Sequence, residues 1–215
     1  MYTLLLSPHP DDVVYSAFFY LKHDQKRVCV TLFNVSSFNK WRLQSKFLTT
    51  TLRTLEDKLV LSLLRCKSVH LYLEDSSVRV CRKPNPSLWV KESPSIIVAP
   101  AAIGSHIDHL VTRELAIKLF EEIKNCELVL YQDLPYAAKI SDLKKEEDAL
   151  SGVIGNIKER VLPLTKEEIK KKVKMAKLYF SQTDYTALIV EHAKRVGKEA
   201  GFEYAEKYYL TSFTR

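Results

Sequence analysis

Two four-residue segments hold the side chains best suited to chemistry, His9-Pro10-Asp11-Asp12 near the start and His106-Ile107-Asp108-His109 near the middle. Between them they carry three of the chain's six histidines, each with carboxylates alongside. Two imidazoles and one carboxylate suffice for a mononuclear Zn²⁺ site that keeps positions open for water and substrate. A further carboxylate on the same turn is then placed to take a proton from that water. Each residue also has a plainer use. Asp11 or Asp12 suits a helix N-cap, where a short carboxylate accepts from free amides, and single histidines are often structural. His23, His70 and His192 read in that ordinary way. Residue chemistry alone leaves open whether Asp11 or Asp12 is the ligand.

The surrounding pattern predicts how the two segments meet. Thr3 to Leu6 is a short apolar run stopped by Pro8 and Pro10, and Val13, Val14, Ala17, Phe18 and Leu21 then repeat at helical spacing. Arg27 to Val35 reads as a second strand, Leu43 to Leu64 as a long helix, and Ser68 to Leu73 as a third strand. Ser95 to Ala99 is a buried strand, Leu110 to Lys124 a helix, and Glu127 to Tyr131 the closing strand. This alternation predicts an α/β chain, a single Rossmann-like domain over 1–215 with a mostly parallel sheet covered on both faces. Right-handed crossovers put every strand-to-helix turn on the carboxyl edge of such a sheet, which brings His9 to His106. Beyond Ser141 the pattern reads as helical, clearest at Glu167 to Phe180 and Thr183 to Glu199. With five glycines and no G-x-G-x-x-G after a strand, the chain carries no dinucleotide fingerprint.

Composition narrows the partners. The 215 residues carry a formal charge of +7, which attracts nucleic acid, anionic lipid or a phosphate-bearing substrate. Much of the excess lies in mixed runs such as Lys166 to Lys177, the pattern of a solvated helix face, so nucleic acid is not expected. Cys29, Cys66, Cys81 and Cys126 are scattered without a close pair, consistent with reduced thiols in a cytoplasmic protein. No run approaches the ~20 apolar residues of a membrane span, and the first residues lack the marks of a signal peptide. Oligomeric state is not legible.

The two segments resemble the signature motifs of the LmbE-like (PIG-L) family of zinc de-N-acetylases. Arg53-Thr54-Leu55-Glu56, the stretch Tyr131 to Tyr136, and Lys174 with Tyr179-Phe180-Ser181-Gln182 extend the likeness to most of the chain. The resemblance implies a Rossmann-like fold and removal of acetyl groups from N-acetylated amino sugars or their lipid, thiol or antibiotic conjugates. It implies His9, Asp12 and His109 as ligands of Zn²⁺, with Fe²⁺ or Co²⁺ as other divalent occupants, and Asp11 as general base. His106 would be a protonated imidazole serving the oxyanion or the departing amine, with Asp108 orienting it. Arg53 and Arg79 are candidates to grip a phosphate or sugar hydroxyl, with structural pairing as the plainer role, and Tyr136 is a candidate site-lining residue. One departure stands out: the family's usual acidic residue after the first motif is Val13 here, on the apolar helical stripe. Two rivals remain at this level. A non-haem Fe(II) oxygenase would use His9, Asp11 and His109 as a facial triad. A non-catalytic sugar- or nucleotide-binding module would keep the fold and lose the chemistry.

Overall fold

A computed structural model describes residues 1–22, 25–80, 84–88, 92–155 and 157–211. His23 and Cys81 lie outside the described residues. Five strands form the parallel part of the sheet: β1 (Thr3–Ser7), β2 (Arg27–Thr31), β3 (Lys67–His70), β4 (Ile96–Pro100) and β5 (Glu127–Tyr131). β1 is buried along its whole length, and β2, β4 and β5 over all but one residue each, which explains their unbroken apolar runs. Between them run α1 (Asp12–Ser16), α2 (Phe18–Lys22), α3 (Lys46–Leu63) and α4 (Ile107–Glu122).

The C-terminal part departs from its helical expectation. It contains α5 (Tyr136–Lys139), α6 (Leu143–Ile154), α7 (Lys166–Ala176) and α8 (Thr186–Ala200), but also two strands, β6 (Ile157–Leu164) and β7 (Tyr204–Thr211). β7 pairs antiparallel with β5 and β6, giving the sheet order β3-β2-β1-β4-β5-β7-β6. β6 is half-exposed and charged and contains Pro163, features that an edge strand tolerates and that hide it from an apolar-run reading.

The single N-terminal helix expected from spacing is also split, at Ala17. Glu206 on β7 accepts the amide N–H groups of Phe18 at 3.2 Å and Phe19 at 2.7 Å, so a distant carboxylate caps α2 where α1 ends. Val13, in the position of the family's acidic residue, is fully buried in the core.

The strand order reverses between β1 and β4. That switch point opens a crevice at the carboxyl ends of both strands, where ligands of open α/β sheets bind. His9 leaves β1 on one side of it, and the turn carrying His106 and His109 leaves β4 on the other.

Candidate active site

The turn after β1 is built tightly. Asp11 takes φ 100, a conformation rare for a residue with a Cβ, and its carbonyl accepts from Val14 and Tyr15 to start α1. Neither aspartate caps that helix with its side chain. Asp12 instead accepts at Oδ2 from the His9 backbone N–H at 2.8 Å and faces His9 Nδ1 at 3.2 Å. Across the crevice, His106 is the N-cap of α4, and its Nδ1 accepts the backbone N–H of Asp108 at 3.3 Å. Gly104 makes this turn possible. It has φ 82, and a Cβ there would stand 2.9 Å from Cβ of Tyr136.

The three imidazoles converge, with ring centroids 5.2 Å (His9–His106), 5.3 Å (His9–His109) and 5.3 Å (His106–His109) apart. Two trios of ligand atoms fall within 4.8 Å of one another: His9, Asp12, His109 and His9, His106, Asp108. Their surroundings separate them. Asp108 is already occupied, by Arg79 at 2.7 Å, the Ser76 backbone N–H at 2.9 Å and His9 Nε2 at 3.0 Å. In the first trio, His109 Nε2 is buried without a hydrogen-bond partner, 3.4 Å from Asp12 Oδ2. Its other nitrogen is held by Asp133 at 2.6 Å. An imidazole oriented by a carboxylate, with its second nitrogen unsatisfied beside an aspartate, is the arrangement of a metal ligand. His9, Asp12 and His109 therefore fit a Zn²⁺-type ion.

The two adjacent carboxyls are pushed apart in proton affinity. Burial raises Asp11 well above the usual carboxylate range, the negative Asp12 adds to this, and Arg53 only partly offsets it. Burial acts the same way on Asp12, but His109 and His9 outweigh it and leave Asp12 below its ordinary value. Such a split marks one carboxyl as a proton carrier and the other as a permanent anion. Burial works against the charge on His9, yet its hydrogen bonds to Asp108 and Asp12 raise its pKa to about 9. His106 goes the other way, to about 4, through burial and the neighbouring His9 and His109.

Asp108 accepts from His9 and Arg79, while His106 accepts the Asp108 backbone N–H at Nδ1 and its proton affinity is lowered. Arg79 also donates to the Glu74 carbonyl at 2.8 Å and lies over the Phe33 ring, so its guanidinium is a tether for Asp108. Arg53 is buried, with Nη1 on Ser36 Oγ at 2.7 Å and Nε unpartnered, and it lines a cleft of about 270 Å³ with His9, Asp11, Asp12 and His106. Tyr136 also lines the cleft, its ring 5.4 Å from His109 and 5.9 Å from His106. Asp133 was not singled out from sequence. Its signal was a carboxylate just past the end of β5, on the same edge of the sheet as the two motif turns.

A strand-order switch lined by two histidines and an aspartate with ligand atoms within 4.8 Å of one another, beside a second aspartate of raised proton affinity, forms a candidate metal site on a Rossmann-like sheet. The model of the PIG-L family, described as GlcNAc-PI de-N-acetylase, matches residues 4–120, and the chain belongs to that family of deacetylases. It is 26% identical over 225 residues to 2′-N-acetylparomamine deacetylase of Streptomyces fradiae, covering 90% of this chain and 78% of that one. Its fold is similar to that of a deacetylase from the teicoplanin biosynthesis pathway, solved in complex with teicoplanin (TM-score 0.76, 21% identity, 98% of each chain). It is also similar to the N,N′-diacetylchitobiose deacetylase of Pyrococcus horikoshii (TM-score 0.73, 17% identity, 99% of this chain and 87% of that one).

Proposed function

We propose that this deacetylase hydrolyses the acetamide of an N-acetylated amino sugar or its conjugate, using Zn²⁺ held by His9, Asp12 and His109. The observation that carries the metal is the buried, unpartnered Nε2 of His109 facing Asp12. The sugar class is supported by the named relatives, whose substrates include paromamine and chitobiose derivatives. A Zn²⁺ ion in this donor set would lower the pKa of a water toward ~7 and polarise the acetyl carbonyl, and Fe²⁺ or Co²⁺ suits the same ligands.

The protein's own groups account for the proton traffic. Asp11, at the cleft wall and with raised proton affinity, takes the proton of the attacking water on a carboxyl oxygen. It holds that proton until the C–N bond breaks and then returns it to the amine nitrogen. Amide and water thus become acetate and free amine. His106, on the cleft wall with Nε2 3.4 Å from Ser76 Oγ, would offer an N–H to the acetyl oxygen, where negative charge develops. Arg53, on the cleft wall, is placed for a sugar hydroxyl, and the Tyr136 ring forms an apolar wall beside the imidazoles. Arg79 and Asp108 orient His9. The oxygenase alternative is disfavoured, because Asp12 rather than Asp11 lies with His9 and His109 and the sheet is largely parallel.

The test is amine release from N-acetylglucosamine, diacetylchitobiose and N-acetylparomamine by chelated and Zn²⁺-restored enzyme. Loss on chelation and recovery with the ion are expected. Turnover retained in a verified metal-free sample would overturn the metal reading.

A further inference from the structure

α3 is turned opposite to an ordinary amphipathic helix. It buries Thr49, Arg53, Thr54, Glu56 and Asp57 and leaves leucines in solvent. Leu48, Leu55, Leu59 and Leu63 are each at least half exposed, and their spacing of seven, four and four residues places them on one stripe. At the N-terminal end of the helix this stripe meets Phe47, which is 76% exposed. The segment preceding α3 adds Trp41, with its ring 5.9 Å from that of Phe180, and Phe38, which lines the catalytic cleft. The segment is fastened to the helix, since Asn39 donates to Thr49 and Arg53 donates to Ser36. Exposed apolar side chains gathered on this helix and on the segment before it mark a docking face.

The charge around it identifies the partner. From Gln25 to Leu73 the only acidic residues are Glu56 and Asp57, and both are buried, Glu56 bonded to Ser181 and Asp57 to Thr31, His70 and Tyr179. The exposed side of α3 therefore presents Lys58 among its leucines, with Arg65 just past its C-terminal end, and no carboxylate. Lys46 at its start pairs with Glu74 from another segment. Lys40 lies 5.2 Å from the centroid of the Trp41 ring, and Arg42 follows it in the chain. Two copies of this face brought together by a two-fold axis would oppose cation to cation with no acid on the helix to answer them. Leucines, an aromatic rim and lysines on one surface instead suit the boundary of an anionic bilayer, where apolar side chains enter the acyl region and cations meet head groups.

We propose that the leucine face of α3, with the Trp41–Phe180 rim, docks this protein on an anionic lipid membrane, with the cleft mouth at Phe38 adjoining the lipid. The inference is independent of the catalytic reading, because its test requires no turnover. The full-length protein is sedimented with vesicles of phosphatidylcholine alone and of phosphatidylcholine mixed with phosphatidylserine. Binding to the mixed vesicles, little to the neutral ones, and release in high salt are expected. The Leu55→Gln/Leu59→Gln double variant should bind at least about tenfold more weakly with an unchanged circular dichroism spectrum. Lys58→Glu should weaken binding to the mixed vesicles alone. No binding to mixed vesicles, or equal binding by the leucine variant, would overturn the proposal. So would a concentration-dependent dimer without lipid that the leucine variant abolishes, since the face would then belong to a second copy.

Discussion

Asp11 and Asp12 are neighbours in sequence and opposites in proton affinity, because His9 and His109 surround one carboxyl while the other answers mainly to burial and to its neighbour's charge. Asp11→Asn should therefore lower kcat by ~10²–10⁴ while leaving metal content unchanged, read by amine release together with metal analysis. Asp12→Ala should instead lose the metal. His9 supplies a pH signature. Its pKa of about 9 in the metal-free fold means that an incoming ion must displace a proton, so affinity should fall about tenfold for each pH unit below that value. Competition with a chelator across this range measures the slope, and a flat profile would contradict it. The metal-free protein should respond in the opposite sense. A folded pKa above the ordinary 6.5 gives stability that is complete below 6.5 and lost as pH rises through about 9. Residue types made the two histidine motifs legible. The Arg79–Asp108–His9 chain was not, because its link at Arg79 lies outside both motifs.

At the scale of elements, each site residue depends on a neighbour that arrives from a different strand. Asp133, just beyond β5, holds His109 Nδ1 at 2.6 Å and accepts the Ile103 backbone N–H at 2.9 Å, so one carboxylate orients the ligand and fastens the turn after β4. Asp133→Asn keeps an oxygen for Ile103 but weakens the hold on His109. Metal affinity should fall about 10–100-fold, measured by the same competition. The parallel strands were readable because burial on both faces leaves a nearly unbroken apolar run, as in Thr-Leu-Leu-Leu-Ser of β1. β6 and β7 were not, since mixed charge and Pro163 obscure the edge strand β6 and Glu206 and Lys207 interrupt the apolar run of β7. The orientation of α3 was equally hidden. Its polar side is inside because Ser36, Asn34, Thr31, His70 and Ser181 wait there as partners, and a helical period cannot reveal partners.

Across the whole molecule, one carboxylate of a buried ion pair joins the N-terminal and C-terminal parts of the chain. Lys172 on α7, fully buried, meets Glu206 on β7 at 2.6 Å, and Glu206 in turn caps α2 through Phe18 and Phe19 and accepts from Tyr208 at 2.5 Å. Lys172→Met removes one charge and strands the other, which should cost about 3 kcal/mol in urea unfolding. Pairing it with Glu206→Gln should recover part of that loss. Among the described residues no helix is long and apolar enough to cross a membrane.

The chain's order of strands, helices and prolines determined by itself that His9 and His106 would share a sheet edge, because right-handed crossovers leave parallel strands no other arrangement. It also named the donor types for a metal. Only the tertiary structure decided that Asp11 and Asp12 differ in proton affinity, that Asp108 lies against His9 and Arg79, and that Asp133 holds His109. Those outcomes depend on burial, and on charges brought within a few ångströms from segments far apart in sequence, which local pattern does not encode.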